Sequence, residues 1–218
     1  MDVELRSIPV REALHFLGWR GTPVDEAILA EIKEMTDLAL RELQPRVATL
    51  RRRILPGGEI EGTSLTPQGS AVRAMLAPCG EAVLMAGTLG AQSERLLLRM
   101  QAQDASRALL LDAVLSAGIE AVMDAQEDVL RSRLQKEGLY LTDRFSPGYG
   151  DMPMAQTREI CEVLGTQRRI GLTVSQSGIM IPRKSVTAIM GISCTPVKRR
   201  PGGCAACERR ATCALARA

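Results

Sequence analysis

Apolar positions along the chain change their period several times, and each change marks an element. Residues 9–20 (PVREALHFLGWR) carry a short helical pattern opened by Pro9 and stopped around Gly18 and Gly21. Pro23 starts a stronger helix: Ile28, Leu29, Ile32, Met35, Leu38 and Leu40 form an apolar stripe over 24–43, and Pro45 ends it. Residues 46–66 alternate as strands do (VATLRRRIL, then EIEGTSL) and are split by the turn signal Pro56-Gly57-Gly58. A short helix over 68–76 leads through Pro78 and Gly80 into AVLMAGTLG, a buried strand that ends in a glycine-bearing turn. Residues 91–137 are the most helical stretch: they hold no proline, their only glycine is Gly118, and Leu111, Val114, Leu115, Ile119 and Val122 recur at helical spacing. A loop rich in turn formers follows over 142–153, then a helix over 154–164 closed by Gly165. The runs RIGLTVS and KSVTAIMGI predict two strands joined through Pro182, and the last twenty residues have no periodicity.

Strands early, in the middle and late, without strict strand–helix–strand alternation, predict an α+β fold. The expectation is a single domain over 1–193, with a mixed or antiparallel sheet and long helices, and a Cys-rich basic tail over 194–218. No internal repeat is visible.

Composition narrows the function classes. Over 218 residues, 45% are hydrophobic and 24% charged, the balance of a soluble globular domain. Aromatic residues make up only 2%, so the core rests on Leu, Ile, Val, Met and Ala, and an aromatic side chain in a loop needs a reason. A net charge of +3, without interleaved basic and aromatic residues, argues against nucleic acid. The start, MDVELRSIPV, lacks the apolar centre of a signal peptide, and runs such as Ala82 to Ala86 are too short to span a bilayer. The expectation is a cytoplasmic protein, not bound to membrane, whose cysteines are thiols or metal ligands.

The most informative loop reads Arg144-Phe-Ser146-Pro147-Gly148-Tyr149-Gly-Asp151. Pro147 and Gly148 predict a tight turn, with Gly148 supplying a positive φ or room for a ligand at the backbone. Arg144 offers a planar fork of donors suited to a carboxylate, and Tyr149 an aromatic face with a hydroxyl. These features would suit an amino-acid-bearing nucleoside. They equally describe a surface turn whose arginine pairs with Asp143 or Asp151.

This loop resembles the signature of the S-adenosylmethionine (AdoMet)-binding activation domain of cobalamin-dependent methionine synthase. In that family an arginine followed by Pro-Gly-Tyr holds AdoMet, with the arginine on the methionyl carboxylate. Further on, Leu172 to Val186, with Met180, Pro182 and Ser185, resembles the family's strand and Met-x-Pro-x-x-Ser-Val turn, in the same order and at close to the same spacing. Ala86–Gly90 and the helix through Glu120 are more loosely similar. The resemblance covers roughly 80–193 and implies a stand-alone module serving a methionine synthase that lacks its own. It implies AdoMet bound by Arg144, Ser146, Pro147, Gly148 and Tyr149, with Glu120 either an anion near the sulfonium or amino group or a solvated helix carboxylate. It also implies a partner carrying cobalamin, a flavodoxin- or ferredoxin-type reductant, and a part in a methyltransferase system. Two departures stand out. Nothing matches the Asp-x-His-x-x-Gly loop of a cobalamin module, the sole histidine being His15, and cysteines stand where the family places a tyrosine pair.

Those cysteines are the last feature. Cys204, Cys207 and Cys213 form C-x2-C-x5-C, with Cys194 ten residues before the first. Four thiolates on a glycine-hinged segment suit zinc or an iron–sulfur cluster, or else a reduced tail or redox-labile pair. The alternative function is accordingly a metal-containing redox or regulatory activator of a corrinoid methyltransferase.

Overall fold

A computed structural model describes residues 5–19 and 23–197. The elements run α1 (Val10–Phe16), α2 (Glu26–Glu42), β1 (Arg46–Arg53), α3 (Ser70–Leu76), β2 (Glu81–Thr88), α4 (Ala91–Gln103) and α5 (Ala105–Lys136). They continue with β3 (Tyr140–Leu141), α6 (Gln156–Leu164), α7 (Thr166–Ile170), β4 (Thr173–Val174), β5 (Met180–Ile181) and β6 (Ser185–Ser193). This is the expected α+β class, with an antiparallel sheet. The tail beyond residue 197 lies outside the described residues.

The central sheet has the order β1-β2-β6-β3, every neighbour antiparallel. Its two long inner strands are buried on both faces, which is why both read as continuous apolar runs and not as alternation. On one face Val47, Val83, Met85, Met190 and Ile192 pack with α1, α2, α4 and α5. On the other, Ala48, Ala82, Leu84, Ala86 and Ile189 pack with α3, α6 and α7. The period of two along β2 thus feeds two separate cores, one on each side of the sheet.

Small residues let the layers close up. A Cβ on Gly87 would run into the Met123 sulfur of α5, and one on Gly191 into the Cys79 sulfur and Leu76. The helical stretch 91–137 is broken once, where Asp104 takes an extended conformation and accepts the N–H groups of Ser106 (2.9 Å) and Arg107 (3.0 Å) as the cap of α5. From there α5 runs for 32 residues, about 48 Å at 1.5 Å per residue, beneath the sheet. No helix of the described residues is long and apolar enough to cross a membrane.

Two strand expectations fail. Most of RIGLTVS is not strand: Gly165 and Gly171 both take the left-handed conformation, and the segment between them winds into α7, leaving only Thr173–Val174 to pair with β5. EIEGTSL contributes a single bridge, Ile54 to Ile60. It then turns at Gly62 and Thr63, whose hydroxyl donates to Ile60 O (2.7 Å) and accepts from Leu65 N–H (3.1 Å). Its apolar residues are buried all the same, as a turn folded over the second core.

Because a Cβ on Gly191 would overlap the Cys79 sulfur, Gly191→Ala is expected to destabilise the fold by about 1–3 kcal/mol through overpacking. Urea unfolding measures the loss, and adding Cys79→Ala should recover part of it.

Candidate functional site

The site is built where the short edge strand β3 leaves regular pairing. Tyr140 and Leu141 face Ser193 and Ile192, and Thr142 donates its N–H to Gly191 O while its hydroxyl accepts the Gly191 N–H. Phe145 next pairs with Ile189, its N–H donating at 2.9 Å and its carbonyl accepting at 2.9 Å. Thr142 to Phe145 are therefore four residues set against the three from Gly191 to Ile189. The extra residue makes a bulge, and a bulge re-aims the side chains within it. Asp143 and Arg144 occupy the bulge, and both side chains meet α5.

Helix α5 presents Glu120, Asp124, Glu127 and Arg131 at steps of four, three and four residues, one polar stripe beside the apolar face that it buries. Arg144 Nη2 lies 2.6 Å from Asp124 Oδ1 and 3.3 Å from Glu120 Oε2, while its Nε lies 3.3 Å from Glu127 Oε2. Arg131 Nη2 takes the other oxygen of Glu127 at 2.6 Å and reaches Asp143 Oδ1 at 3.2 Å. The same guanidinium donates to the carbonyls of Leu141 and Thr142, fixing the bulge from beneath. Arg144 Nη1 is buried and has no hydrogen-bond partner among the described residues.

Four carboxylates thus face two guanidinium groups, leaving an excess of negative charge. Burial pushes the Glu120 carboxyl above its ordinary value; Arg144 opposes that shift, while Asp124 and Glu12 add to it. The sequence expectation for Arg144 changes accordingly. Its ion pairs run to Glu120, Asp124 and Glu127 on α5, and Glu120 lies against Arg144 with its side chain still 42% exposed.

Past the bulge, the chain turns back on itself. Tyr149 N–H donates to Ser146 O (3.1 Å), Gly148 N–H to Met152 O (2.9 Å) and Met152 N–H to Tyr149 O (3.1 Å). Gly148 has φ +90°, and a Cβ there would overlap the Met154 sulfur, so the expected glycine turn is realised. Phe145, Pro147 and Met152 are buried, whereas Tyr149 stands 71% exposed at the apex. In a chain so poor in aromatic residues, that exposed ring is available to a ligand. Asp151 closes the loop by accepting the N–H groups of Ser70 (2.5 Å) and Ala71 (3.1 Å) at the start of α3. Hydrogen bonding with the Ser70 side chain, together with the Ser70 and Ala71 N–H groups, holds its carboxyl down at about 2. A lowered value means the contribution is present above the ordinary 3.8 and is lost as pH falls toward 2.

Asp124, Glu127 and Arg131 were not singled out from the sequence. The signal for them was present in the spacing of charges within the apolar period of 91–137. An open cleft of about 410 Å³, lined by residues such as Arg46, Gly90 and Gly171, includes none of these groups. Cys194 is exposed just past β6, Cys204, Cys207 and Cys213 lie outside the described residues, and no group of metal ligands forms among the described residues. The second motif forms β5, a turn and the start of β6. There Ser185 Oγ sits 2.7 Å from Pro182 O and 2.8 Å from Thr88 Oγ1, and Lys184 Nζ reaches Asp112 Oδ1 (2.8 Å) and Ser116 Oγ (2.7 Å) on α5.

Glu127 is buried between two arginines and Asp124 is exposed, so equal chemistry at the two positions should have unequal effects. Glu127→Gln is expected to cost about 2–3 kcal/mol of stability, and Asp124→Asn less than about 0.5 kcal/mol. Chemical unfolding of the two variants checks the contrast.

No protein-family model matches the chain, and no curated protein matches it at a significant level. Among solved structures it is similar to the crystal structure of the MetH reactivation domain bound to AdoHcy, with a TM-score of 0.67 and 17% sequence identity. The match covers 92% of this chain and 79% of that one. The α+β architecture described above is therefore the fold of that reactivation domain.

Proposed function

We propose that the chain binds AdoMet between the Arg144–Tyr149 loop and the acidic stripe of α5. In this reading it supports reductive methylation of the cobalamin carried by a partner methionine synthase without such a domain, with a flavodoxin- or ferredoxin-type protein as electron donor. The observation that carries the reading is the charge arrangement: one arginine set among more carboxylates than it can neutralise. AdoMet bears one carboxylate, one ammonium and one sulfonium. Its charges are the complement of that set, and the similar solved domain holds AdoHcy.

Each residue then has a defined task. Arg144 receives the ligand carboxylate through donors now facing α5, a charge-assisted fork. Glu120 and Asp124 face the ammonium and sulfonium, and the half-buried position of Glu120 strengthens its attraction over that of a fully solvated acid. The exposed Tyr149 ring offers a stacking face to the adenine, and the Ser146–Gly148 backbone offers polar groups beside it. Bound AdoMet supplies an electrophilic methyl group, for which the partner's reduced cobalt is the nucleophile. The chain contributes placement and exclusion of water, so proximity and orientation are the whole of its catalytic role and no acid–base pair is required.

Calorimetric titration tests this directly. Wild-type protein should bind AdoMet, and Arg144→Ala should weaken binding by about 1.5–3 kcal/mol, the worth of a hydrogen bond to a charged group. Mixed with inactive Co(II) methionine synthase, a reductant and AdoMet, the wild type should restore methylcobalamin. Binding without restoration would reduce the function to that of an AdoMet-holding module.

Two electrostatic outcomes follow from Glu120. AdoHcy lacks the sulfonium charge, so wild type should prefer AdoMet, and Glu120→Gln should narrow that preference. A cation placed beside Glu120 also favours its ionised form and draws its raised pKa down. AdoMet binding should therefore release a proton at mildly acidic pH and tighten as pH rises through that window. Titrations in buffers of different ionisation enthalpy read the proton, which should vanish in Glu120→Gln.

A further inference from the structure

We propose that Asp151 is a positioning residue for the ligand loop, capping α3 from 81 residues away so that the Ser146–Gly150 turn is held in its binding shape. The inference rests on the AdoMet reading of that loop. The N-cap of helix α3 is Gly69, which has no side chain to satisfy the first N–H groups. The vacancy is filled in trans: Asp151 Oδ2 accepts from Ser70 N–H at 2.5 Å and Oδ1 from Ala71 N–H at 3.1 Å. Gly69 is needed for the approach. Its φ is +111°, and a Cβ there would lie 3.0 Å from the Asp151 carbonyl carbon and oxygen.

The next turn repeats the connection. Gln156, fully buried, accepts from Gln68 N–H (2.8 Å) and donates to Thr66 O (2.9 Å). The far side of the ligand loop is thus bound to the segment 66–71, while its near side is fixed by the pairing of Phe145 with Ile189. Between these anchors stands the exposed Tyr149. Releasing Asp151 would free one side of the turn and leave the other in place. The folded chain would then sample loop shapes in which Tyr149 and the Ser146–Gly148 backbone no longer meet the same ligand. The cost would appear in binding as ordering that the ligand itself must impose.

The experiment is AdoMet calorimetry on full-length wild type, Asp151→Ala, Asp151→Asn and Gly69→Ala, with thermal midpoints and amide exchange at Ser70 and Ala71 measured alongside. Asp151→Ala should weaken AdoMet roughly tenfold while the midpoint shows that the protein remains folded. Asp151→Asn keeps one acceptor oxygen and should recover part of the affinity. Gly69→Ala leaves every proposed ligand contact intact and should reproduce the loss by pushing Asp151 away, which keeps the test decisive if Asp151→Ala fails to fold. Faster exchange at Ser70 and Ala71 with unchanged AdoMet affinity would overturn the inference alone, leaving Asp151 a cap and nothing more. A wild type that binds no AdoMet would overturn the functional reading and this inference together.

Discussion

Each oxygen of the Glu127 carboxylate is held by a different arginine, and the geometry around the bulge depends on that arrangement. Glu127 is buried, and a carboxylate taken out of water is tolerated only when it is paired and hydrogen-bonded. Arg131 reaches it from one turn along the same helix, and Arg144 from the bulge after β3. Arg131 also grips the Leu141 and Thr142 carbonyls. The lateral position of the edge strand against α5 is therefore set by charge. Deeper in the same layer, Gly87 and Met123 set the contact of β2 with α5 by steric fit alone. A slip of one residue at the bulge would turn Arg144 to the other face of the sheet and leave Glu127 with one partner. The register carries a penalty for error that an apolar edge would not.

What the sequence disclosed depended on how directly local pattern maps to burial. The strands β2 and β6 were legible because two-sided burial leaves a run without polar interruption. The helical stretch 91–137 was legible as helix, though the cap at Asp104 divides it in two. The composition of RIGLTVS suits a strand, but Gly165 and Gly171 bend the backbone in a way composition does not express. At the site, the turn at Pro147 and Gly148 was readable from its residue types, and Arg144 and Glu120 were both named. Their contact was not, because it joins residues 24 apart in sequence through a bulge that no local pattern announces. The partners Asp124, Glu127 and Arg131 show themselves only when the charges of α5 are counted at helical spacing.

The charge excess explains why an arginine sits among acids at all. A simple anion approaching Arg144 would be repelled by Glu120 and Asp124, each of which already shares its Nη2. At about 4 Å and the effective dielectric of a protein surface, each such charge pair is worth up to about 4 kcal/mol before solvent competition. A ligand that carries two positive groups beside its carboxylate meets attraction from the acids at the same time as it displaces them from the arginine. On the AdoMet reading proposed above, the site would select by the pattern of charge along the ligand, not by its net sign. The buried Glu127, held by Arg131 as well, would keep Arg144 in place through such an exchange.

Such selection works only on a platform that does not yield. Methyl transfer between two groups that are already reactive gains mainly from being held in line, and small displacements forfeit that gain. The loop here is constrained on three sides by unlike interactions: backbone pairing with β6, ion pairs with α5, and caps and amide bonds to the segment before α3. Because these interactions differ in kind, no single change in conditions loosens all of them at once. Salt screens the exposed Asp124 pair more than the buried one, and acid reaches Asp151 only far below neutrality. The backbone ladder responds to neither. Tyr149 is exposed and, among the described residues, hydrogen-bonded through its main chain, so any rigidity it has would be inherited from these anchors.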